Sequence, residues 1–295
     1  MLLPGFTRKK IDAGGTLINI ATAGSGPPLL LLHGYPQNLS MWHLVAPKLA
    51  ADFTVVAADL RGYGDSGKPP STRDHLAHSK RATAADMVAV MARLGFDSFA
   101  VAGHDRGGRV THRMALDHPT RITRAAVLDI VPTLKIFSEV NQKVATAYYH
   151  WFFLIQPFDL PERMIGADPE FYLRKKLLGW SSGFSGFLPE AVDDYVRCFR
   201  DPAVIHASCE DYRAAASVDL EHDRADGGRK IACPLLVLWG EKGLMHKHYD
   251  VLATWRERAD DVRGRFLPCG HYLAEEEPEA TWRELRAFFM AEGRP

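Results

Sequence analysis

Two short segments of the chain place a reactive side chain next to glycine. The segment from Gly103 to Gly107 follows an apolar run and has the form Gly-x-nucleophile-x-Gly, with Asp105 at its centre. Small residues on both sides allow a sharp strand-to-helix turn that exposes the central side chain and frees the next backbone N–H to bind an anion. His271 follows Gly270 after the last β-rich run, where a general base is expected. These features predict nucleophilic catalysis by Asp105 with His271 as base.

An acid between the nucleophile and the histidine would complete a catalytic triad in the chain order nucleophile, acid, histidine. Asp129 ends the β-rich run from Ala125 to Ile130 and is the preferred candidate. Glu241, in the turn after a later run, is the weaker alternative. The loop that starts at His33 follows an earlier strand, so the backbone N–H groups of Tyr35 and Arg106 are predicted to form the oxyanion hole.

An aspartate nucleophile indicates a particular chemistry. A carboxylate can displace a leaving group at saturated carbon and form an alkyl ester on the enzyme, and water then attacks the carbonyl of that ester. This chemistry fits dehalogenation or epoxide opening. Arg106 and Arg109 stand one and four residues after Asp105, and two guanidinium groups could hold a substrate carboxylate. The alternative is that one of these arginines pairs with an Asp or Glu of the chain.

Two other patterns are interpreted as structural. The stretch from Gly62 to Lys68 satisfies two glycine-rich phosphate-loop patterns, but Pro69 and Pro70 follow where a helix would have to begin, so a tight turn is predicted. His246, Lys247 and His248 are interpreted as a solvated turn because no acidic or cysteine partner stands at a metal-ligand spacing.

Composition narrows the function classes. Thirty-six basic residues balance thirty-six acidic ones in the 295-residue chain, which argues against nucleic acid as a partner. The four cysteines are far apart and form no Cys-x-x-Cys pair, so reduced thiols are expected. No export signal and no apolar run of membrane-spanning length is visible, so we expect a cytoplasmic protein without a membrane partner.

Short β-rich runs alternate with helical stretches up to about residue 130 and again after residue 234. This alternation predicts an α/β fold with a mostly parallel, doubly wound sheet. The predicted core domain covers residues 1–133 and 231–295, and residues 134–230 form an inserted helical cap domain. Fifteen of the thirty aromatic residues lie between Phe137 and Tyr212, so the insert lines or covers something apolar, or these aromatic side chains form a small core of its own.

Several motifs resemble those of the α/β-hydrolase superfamily. They are HGYP at 33–36, DLRGYGDS at 59–66, GHDRGG at 103–108, LWGE at 238–241 and GH at 270–271. Their occurrence in this order implies the α/β-hydrolase fold with the insert as its cap. Within the superfamily, HDRGGR at 104–109 and DIVPT at 129–133 resemble the fluoroacetate dehalogenase family.

The family resemblance implies several properties of this chain. The substrate would be a haloacetate, with fluoroacetate hydrolysed by water to glycolate and fluoride, without a metal or cofactor, in a homodimer. Arg106 and Arg109 would bind the substrate carboxylate. His150 and Trp151 match a His-Trp pair of the family, and Tyr212 matches its tyrosine, so these three would bind the halide. Imidazole, indole N–H and phenol O–H are the donors that a poor leaving group such as fluoride requires.

Two rival functions remain from the sequence. An epoxide hydrolase would use the same Asp, His and acid, but such enzymes usually carry Trp after the nucleophile, where this chain has Arg106. A ligand receptor without catalytic activity is the second rival, because a fold does not fix a function. An enzyme would turn over its substrate, whereas a receptor would only bind its ligand in a stoichiometric amount.

Overall fold

An eight-stranded sheet forms the centre of the protein. The computed structural model describes residues 2–181 and 183–291. The strands, in chain order, are β1 Thr7–Asp12, β2 Leu17–Ala23, β3 Pro28–Leu32, β4 Thr54–Ala58, β5 Phe99–His104, β6 Ile122–Leu128, β7 Leu235–Gly240 and β8 Val262–Leu267. Their order across the sheet is β1-β2-β4-β3-β5-β6-β7-β8. The strands β1 and β2 and the pair β2 and β4 are antiparallel, and all other neighbours are parallel.

The central strands are apolar on both faces because helices cover both sides of the sheet. All six residues of β7 are buried, as are the four C-terminal residues of β3. The antiparallel strand β1 was not predicted from the sequence, since its residues Thr7–Asp12 include three cations and are mostly exposed. Charged residues are typical of an edge strand, where they oppose pairing with another chain.

The helices fall into a core set and an inserted set. The core helices before the insert are α1 Ala46–Leu49, α2 Lys80–Arg93 and α3 Arg106–Asp117. Between β6 and β7 the described chain forms eight helices: α4 Thr133–Ser138, α5 Gln142–Ala147, α6 Tyr149–Leu154, α7 Leu160–Ala167, α8 Pro169–Trp180, α9 Pro189–Phe199, α10 Pro202–Ala215 and α11 Val218–Asp226. The core then ends with α12 Leu244–His248, α13 Val251–Arg256, α14 Leu273–Glu276 and α15 Pro278–Met290.

The inserted helices occupy the stretch that the sequence predicts as the cap, and we refer to α4–α11 as the cap. The boundaries at 134 and 230 stay a prediction. Short side chains and prolines begin these helices: Asp168 and Asp201 accept hydrogen bonds from the backbone N–H groups of Phe171 and Ala203, and proline opens α8, α9 and α10.

The glycine-rich stretch from Gly62 to Lys68 lies in a turn, as expected, and no helix begins directly behind it. Among residues 2–181 and 183–291, no helix is long and apolar enough to cross a membrane.

Candidate active site

Asp105 lies at the sharp turn between β5 and α3. Its backbone has φ +47°, a conformation that costs energy for a residue with a side chain and that is typical of functional turns. Glycines make the turn possible, since a Cβ at Gly103 would lie only 2.2 Å from the carbonyl oxygen of Gly107. The nucleophile position predicted from the sequence is therefore a strained, tightly packed elbow at the carboxyl end of a central strand.

The loop after β3 contacts the Asp105 carboxylate directly. The backbone N–H of Tyr35 donates a 2.9 Å hydrogen bond to Oδ1 of Asp105. A Cβ at Gly34 would lie 2.4 Å from the Cβ of Asp105, so only glycine permits this approach. Arg106 is the first residue of α3, where backbone N–H groups lack a helical acceptor. The Tyr35 donor thus contacts the Asp105 carboxyl group, and the Arg106 donor stays a prediction from its place at the start of α3.

Asp129, and not Glu241, contacts His271. Oδ2 of Asp129 lies 2.5 Å from Nδ1 of His271, and Oδ1 accepts a 2.9 Å hydrogen bond from the backbone N–H of Gly240. Asp129 follows the last residue of β6 with φ +52°, which turns its side chain out of the strand pattern. The side chain of Glu241 is exposed. The geometry therefore supports the preferred acid and not the weaker alternative.

His271 is aimed at the nucleophile by contacts on three sides. Its Nε2 lies 4.0 Å from Oδ2 of Asp105, too far for a direct hydrogen bond. Its carbonyl oxygen lies 2.8 Å from Nε2 of His104, and its backbone N–H donates a 2.9 Å hydrogen bond to the carbonyl of Trp180 in the cap. Both core and cap fix the position of this imidazole.

Electrostatics keep Asp105 ionised. Burial favours the neutral acid, but the charges of His271, Arg106 and Arg109 more than offset it and lower the pKa of Asp105 to about 2. For His271, burial lowers the pKa, whereas the hydrogen bond and charge of Asp129 and the charge of Asp105 raise it, with a net shift above the ordinary value. Loss of the Asp105 charge on ester formation would remove one contribution that holds a proton on His271.

Arg106 is fully buried and is anchored along one edge of its guanidinium group. Its Nε donates a 2.6 Å hydrogen bond to Oδ2 of Asp211, and its Nη2 donates a 2.8 Å bond to the backbone oxygen of the same residue. Its Nη1 has no protein partner within the described residues. The alternative interpretation from the sequence, an arginine paired with an acid, holds for one edge of Arg106, while the other amino group remains for a ligand.

Arg109 is anchored differently and has no carboxylate within ion-pair distance in the described part of the chain. Its Nη1 donates 3.0 Å hydrogen bonds to the carbonyl of Val131 and to Oγ1 of Thr133. Its buried Nε and Nη2 find no acceptor among these residues. Burial and the like charge of Arg106 lower the pKa of Arg109, so an anion placed between the two arginines would be stabilised.

The three residues predicted to bind a halide lie together next to the arginines. The Tyr212 ring centre is 5.7 Å from that of His150 and 5.9 Å from that of Trp151. The Arg106 Cζ atom lies 4.0 Å from the Tyr212 ring centre, and the Arg109 Cζ atom lies 4.5 Å from the Trp151 ring centre. The cap therefore brings all three side chains against the predicted carboxylate-binding pair.

Two of these side chains carry buried polar atoms without a partner in the described chain, Nδ1 of His150 and the hydroxyl of Tyr212. Burial raises the pKa of Tyr212 well above its ordinary value, so its O–H stays protonated. Burial and the nearby Lys176 lower the pKa of His150 well below its ordinary value, so the ring stays neutral and carries one N–H. Both groups can donate to a leaving anion.

A cavity of about 320 Å³ lies at the carboxyl ends of the strands, and Asp105, His150 and His271 are part of its lining. The lining also includes Tyr148 and Trp180 of the cap. Within the described chain, Arg106, Arg109, Trp151 and Tyr212 are not part of this lining. Tyr212 contacts the lining residue His150, Arg106 and Trp151 contact Tyr212, and Arg109 contacts Trp151.

Lys247 and His248 also line the cavity, and their segment forms a short helix where the sequence predicts a turn, while His246 and Lys247 are solvent-exposed as expected. They belong to the short helix α12, and Nε1 of Trp239 donates a 3.1 Å hydrogen bond to Nδ1 of His246. The physical reason is that the loop after β7 turns back over the end of the sheet, beside Asp129.

Sequence reasoning missed Asp211 and His104 as parts of this site. Asp211 stands one residue before Tyr212 in α10 and 105 residues after Arg106, and no local pattern connects positions so far apart. The one available signal is the negative charge of Glu210 and Asp211 directly before the predicted binding residue Tyr212. His104 precedes the nucleophile and contacts His271. Burial lowers the pKa of His104 to about 3, which keeps its ring neutral.

Comparison with known proteins agrees with the fold. Residues 27–278 match the family described as alpha/beta hydrolase fold. The chain belongs to this α/β hydrolase family. Among curated relatives, it is 50% identical over 288 residues to the fluoroacetate dehalogenase of Burkholderia sp, a match that spans 97% of this chain and 95% of the relative. The resemblance to the fluoroacetate dehalogenases is thereby confirmed.

Two further relatives show the breadth of the family. The soluble epoxide hydrolase of Corynebacterium sp. (strain C12) is 36% identical over 96% of this chain and 97% of the relative. A crystal structure from Nostoc sp PCC 7120, assigned to the alpha/beta hydrolases, superposes with a TM-score of 0.97 at 58% identity, covering 99% of this chain and all of the other. The predicted α/β-hydrolase fold is confirmed.

Proposed function

We propose that this protein is a haloacetate dehalogenase that hydrolyses fluoroacetate to glycolate and fluoride through an ester on Asp105. The observation that carries the proposal is the pair of buried arginines beside an ionised nucleophile, each with N–H groups that no described residue accepts. An uncharged substrate would leave Arg109 without an anion and Nη1 of Arg106 without an acceptor, whereas a substrate carboxylate would satisfy both groups. The Burkholderia relative, with 50% identity, supports the same function.

In the first step, Oδ2 of Asp105 attacks the carbon that carries the halogen. The carbon–halogen bond breaks, the halide leaves with the bonding electrons, and an alkyl ester of Asp105 forms. Arg106 and Arg109 hold the carboxylate of the substrate, and His150, Trp151 and Tyr212 donate hydrogen bonds to the leaving halide. Fluoride is a poor leaving group, so these donors act on charge that develops in the transition state.

In the second step, water attacks the carbonyl carbon of the ester and gives a proton to Nε2 of His271. The Tyr35 and Arg106 backbone N–H groups stabilise the tetrahedral oxyanion. Collapse of this intermediate expels glycolate, whose hydroxyl takes the proton from His271, and the regenerated Asp105 loses a proton to solvent. Asp129 keeps the imidazole oriented and stabilises its charged form.

Epoxide hydrolysis is the second candidate, because the Corynebacterium relative is named for that activity and because the cap presents Tyr148 and Tyr212 near Asp105. Arg106 counts against it. A location in the cytoplasm, a homodimer, and independence of metals and cofactors stay predictions from the sequence.

Fluoride release from fluoroacetate, followed with an ion-selective electrode, tests the proposal. The wild-type protein should release fluoride, and Asp105→Asn and Asp105→Ala should release none. Asp52→Asn is the matched control, because Asp52 pairs with Arg286 outside the site, and it should retain wild-type activity. Turnover of epoxides with no turnover of fluoroacetate or chloroacetate would replace the proposal with the second candidate, and stoichiometric binding without turnover would favour a receptor.

A further inference from the structure

A buried polar cluster joins the cap to the core behind the nucleophile. Both oxygens of Asp211 are occupied: Oδ1 pairs with the Lys80 ammonium group, and Oδ2 accepts hydrogen bonds from Nε of Arg106 at 2.6 Å and the hydroxyl of Tyr63 at 2.9 Å. Every side chain in this cluster is at most 9% exposed. Asp211 belongs to the cap helix α10, whereas Lys80, Tyr63 and Arg106 belong to the core.

We infer that Asp211, held by Lys80 and Tyr63, is a positioning residue that fixes the guanidinium plane of Arg106 so that Nη1 remains for the substrate carboxylate. The inference rests on the proposed function. Two bonds from Arg106 to one residue, from Nε to the side chain and from Nη2 to the backbone oxygen, define the orientation of a planar group. Neither bond involves Nη1, which is buried without a partner in the described chain.

The chemistry of Asp211 suits this role. Burial favours its neutral form, but the charges of Arg106 and Lys80 outweigh burial and hold the pKa of Asp211 well below its ordinary value. A carboxylate that stays ionised keeps the bond from Nε of Arg106 at every pH at which the enzyme would work, and the bond from Nη2 to the backbone oxygen does not depend on that ionisation. Lys80 has a second acidic neighbour, since its backbone N–H donates to Asp219 at 2.9 Å, and this bond attaches the start of α2 to the cap helix α11.

The same helical turn also carries Tyr212, whose ring lies 4.0 Å from the Arg106 Cζ atom. A single element therefore supplies both the group that orients the carboxylate-binding arginine and one donor of the proposed halide site. The distance between the groups that bind the two ends of the substrate is then set by adjacent residues in α10.

Inhibition by acetate isolates the carboxylate contact, because acetate has no leaving group. Asp211→Asn should raise both the inhibition constant of acetate and the KM of fluoroacetate by about tenfold or more, the loss expected for a charge-assisted contact. Glu162→Gln is the matched control: Glu162 pairs with Arg213 of the same helix α10 and does not contact Arg106. The control should leave both constants near the wild-type values.

Tyr63→Phe keeps the inference testable if Asp211→Asn does not fold, because it removes one hydroxyl and leaves the Asp211 carboxylate in place. It should raise the inhibition constant of acetate about two- to fivefold, in line with the loss of one hydrogen bond. Unchanged or tighter acetate binding in folded Asp211→Asn or Tyr63→Phe would overturn the positioning role. A wild-type protein that releases no halide would instead overturn the proposed function, so the two failures are distinct.

Discussion

The backbone N–H of Tyr35 donates a 2.9 Å hydrogen bond to Oδ1 of Asp105, so the two oxygens of the nucleophile are not equivalent. Oδ1 is held by the oxyanion donor and would become the carbonyl oxygen of the ester. Oδ2, the oxygen nearer to Nε2 of His271 at 4.0 Å, would attack the substrate and leave with the product. The resting geometry thus already assigns the two oxygens to different roles.

A single turnover in heavy-oxygen water should therefore label Asp105 and not glycolate. Water attacks the ester carbonyl, so its oxygen stays in the carboxyl group, while glycolate carries an oxygen that came from the protein. Mass spectrometry of glycolate and of the peptide that contains Asp105 makes the measurement, with the Asp129 peptide as the unlabelled control. Label in the first glycolate formed would show that water attacks the substrate directly.

Asp129→Asn should change both the height and the position of the pH profile. Activity requires neutral His271, so wild-type turnover is lost as pH falls through the pKa of this imidazole, which Asp129 raises against the effect of burial. The variant loses the Asp129 contribution, and its acid limb should move to lower pH. Its plateau should fall about 100-fold or more, since a general base contributes ~10²–10⁴-fold.

Fluoride release measured across the pH range with a buffered fluoroacetate assay gives this profile. Asp105 adds no limb in the working range because its pKa is about 2. An acid limb that stays in place in Asp129→Asn would mean that a group other than His271 controls it.

Tyr212→Phe should discriminate between halogens. Without the hydroxyl, turnover of fluoroacetate should fall about 10- to 100-fold, the value of a hydrogen bond to a charged group, and turnover of chloroacetate should fall much less. Chloride leaves more readily and accepts weaker hydrogen bonds, so it depends less on this donor. Halide release from the two substrates by the same variant provides an internal control. Equal losses with both substrates would contradict a role of Tyr212 at the halide.

Lys247 at the cavity should speed the arrival of an anionic substrate. It is exposed and lines the cavity that contains Asp105. Because the formal net charge of the chain is zero, attraction of an anionic substrate depends on local charges such as this one. Lys247→Gln should lower kcat/KM for fluoroacetate about two- to tenfold at low salt and flatten its salt dependence, with kcat unchanged. Lys9→Gln removes the same charge from β1, at the opposite edge of the sheet, and should have no effect on the slope. Identical salt dependence in Lys247→Gln and wild type would contradict this prediction.

Gly34→Ala should disable the site without unfolding the sheet. The new Cβ would lie 2.4 Å from the Cβ of Asp105, and the displacement of the nucleophile should cost activity by about 100-fold. Gly166→Ala in α7 is the matched control because its Cβ would meet no atom within 4 Å. The control should keep full activity and an equal or higher Tm, since alanine favours a helix. Full activity of Gly34→Ala would show that the loop can move away from Asp105.

The triad and the sheet can be predicted because short stretches of consecutive residues carry their signals. Glycine beside Asp105 and before His271 marks the turns, and the apolar runs mark the buried strands, with boundaries that differ from the observed ones by a few residues. Asp129 was preferred as the acid because it follows a strand, and the structure places it one residue beyond β6, in a left-handed backbone conformation, within contact distance of His271. The expected chain order of nucleophile, acid and histidine then limits which acidic residues can complete the triad.

The parts that sequence reasoning missed depend on long-range packing. The carboxylate of Asp211 meets Arg106 only because α10 docks on the core, and Thr133 meets Arg109 only because the chain after Asp129 passes over the start of α3. β1 was missed for a different reason, since an edge strand needs no apolar face and its residues resemble a solvated terminus. The segment of helix α12 was predicted as a solvated turn because its polar residues carry no sequence signal that they lie beside the cavity.

The hydrogen bond from the backbone N–H of His271 to the carbonyl of Trp180 makes the insert difficult to exchange for the cap of another protein. A Cβ at Gly270 would lie 2.6 Å from that same carbonyl oxygen, so the two backbones touch without intervening side chains. A foreign cap grafted onto this core would have to reproduce a main-chain contact as well as side chains, or the imidazole would lose its support. Substrate range in such a protein would therefore diversify by substitutions within the resident insert more readily than by its replacement.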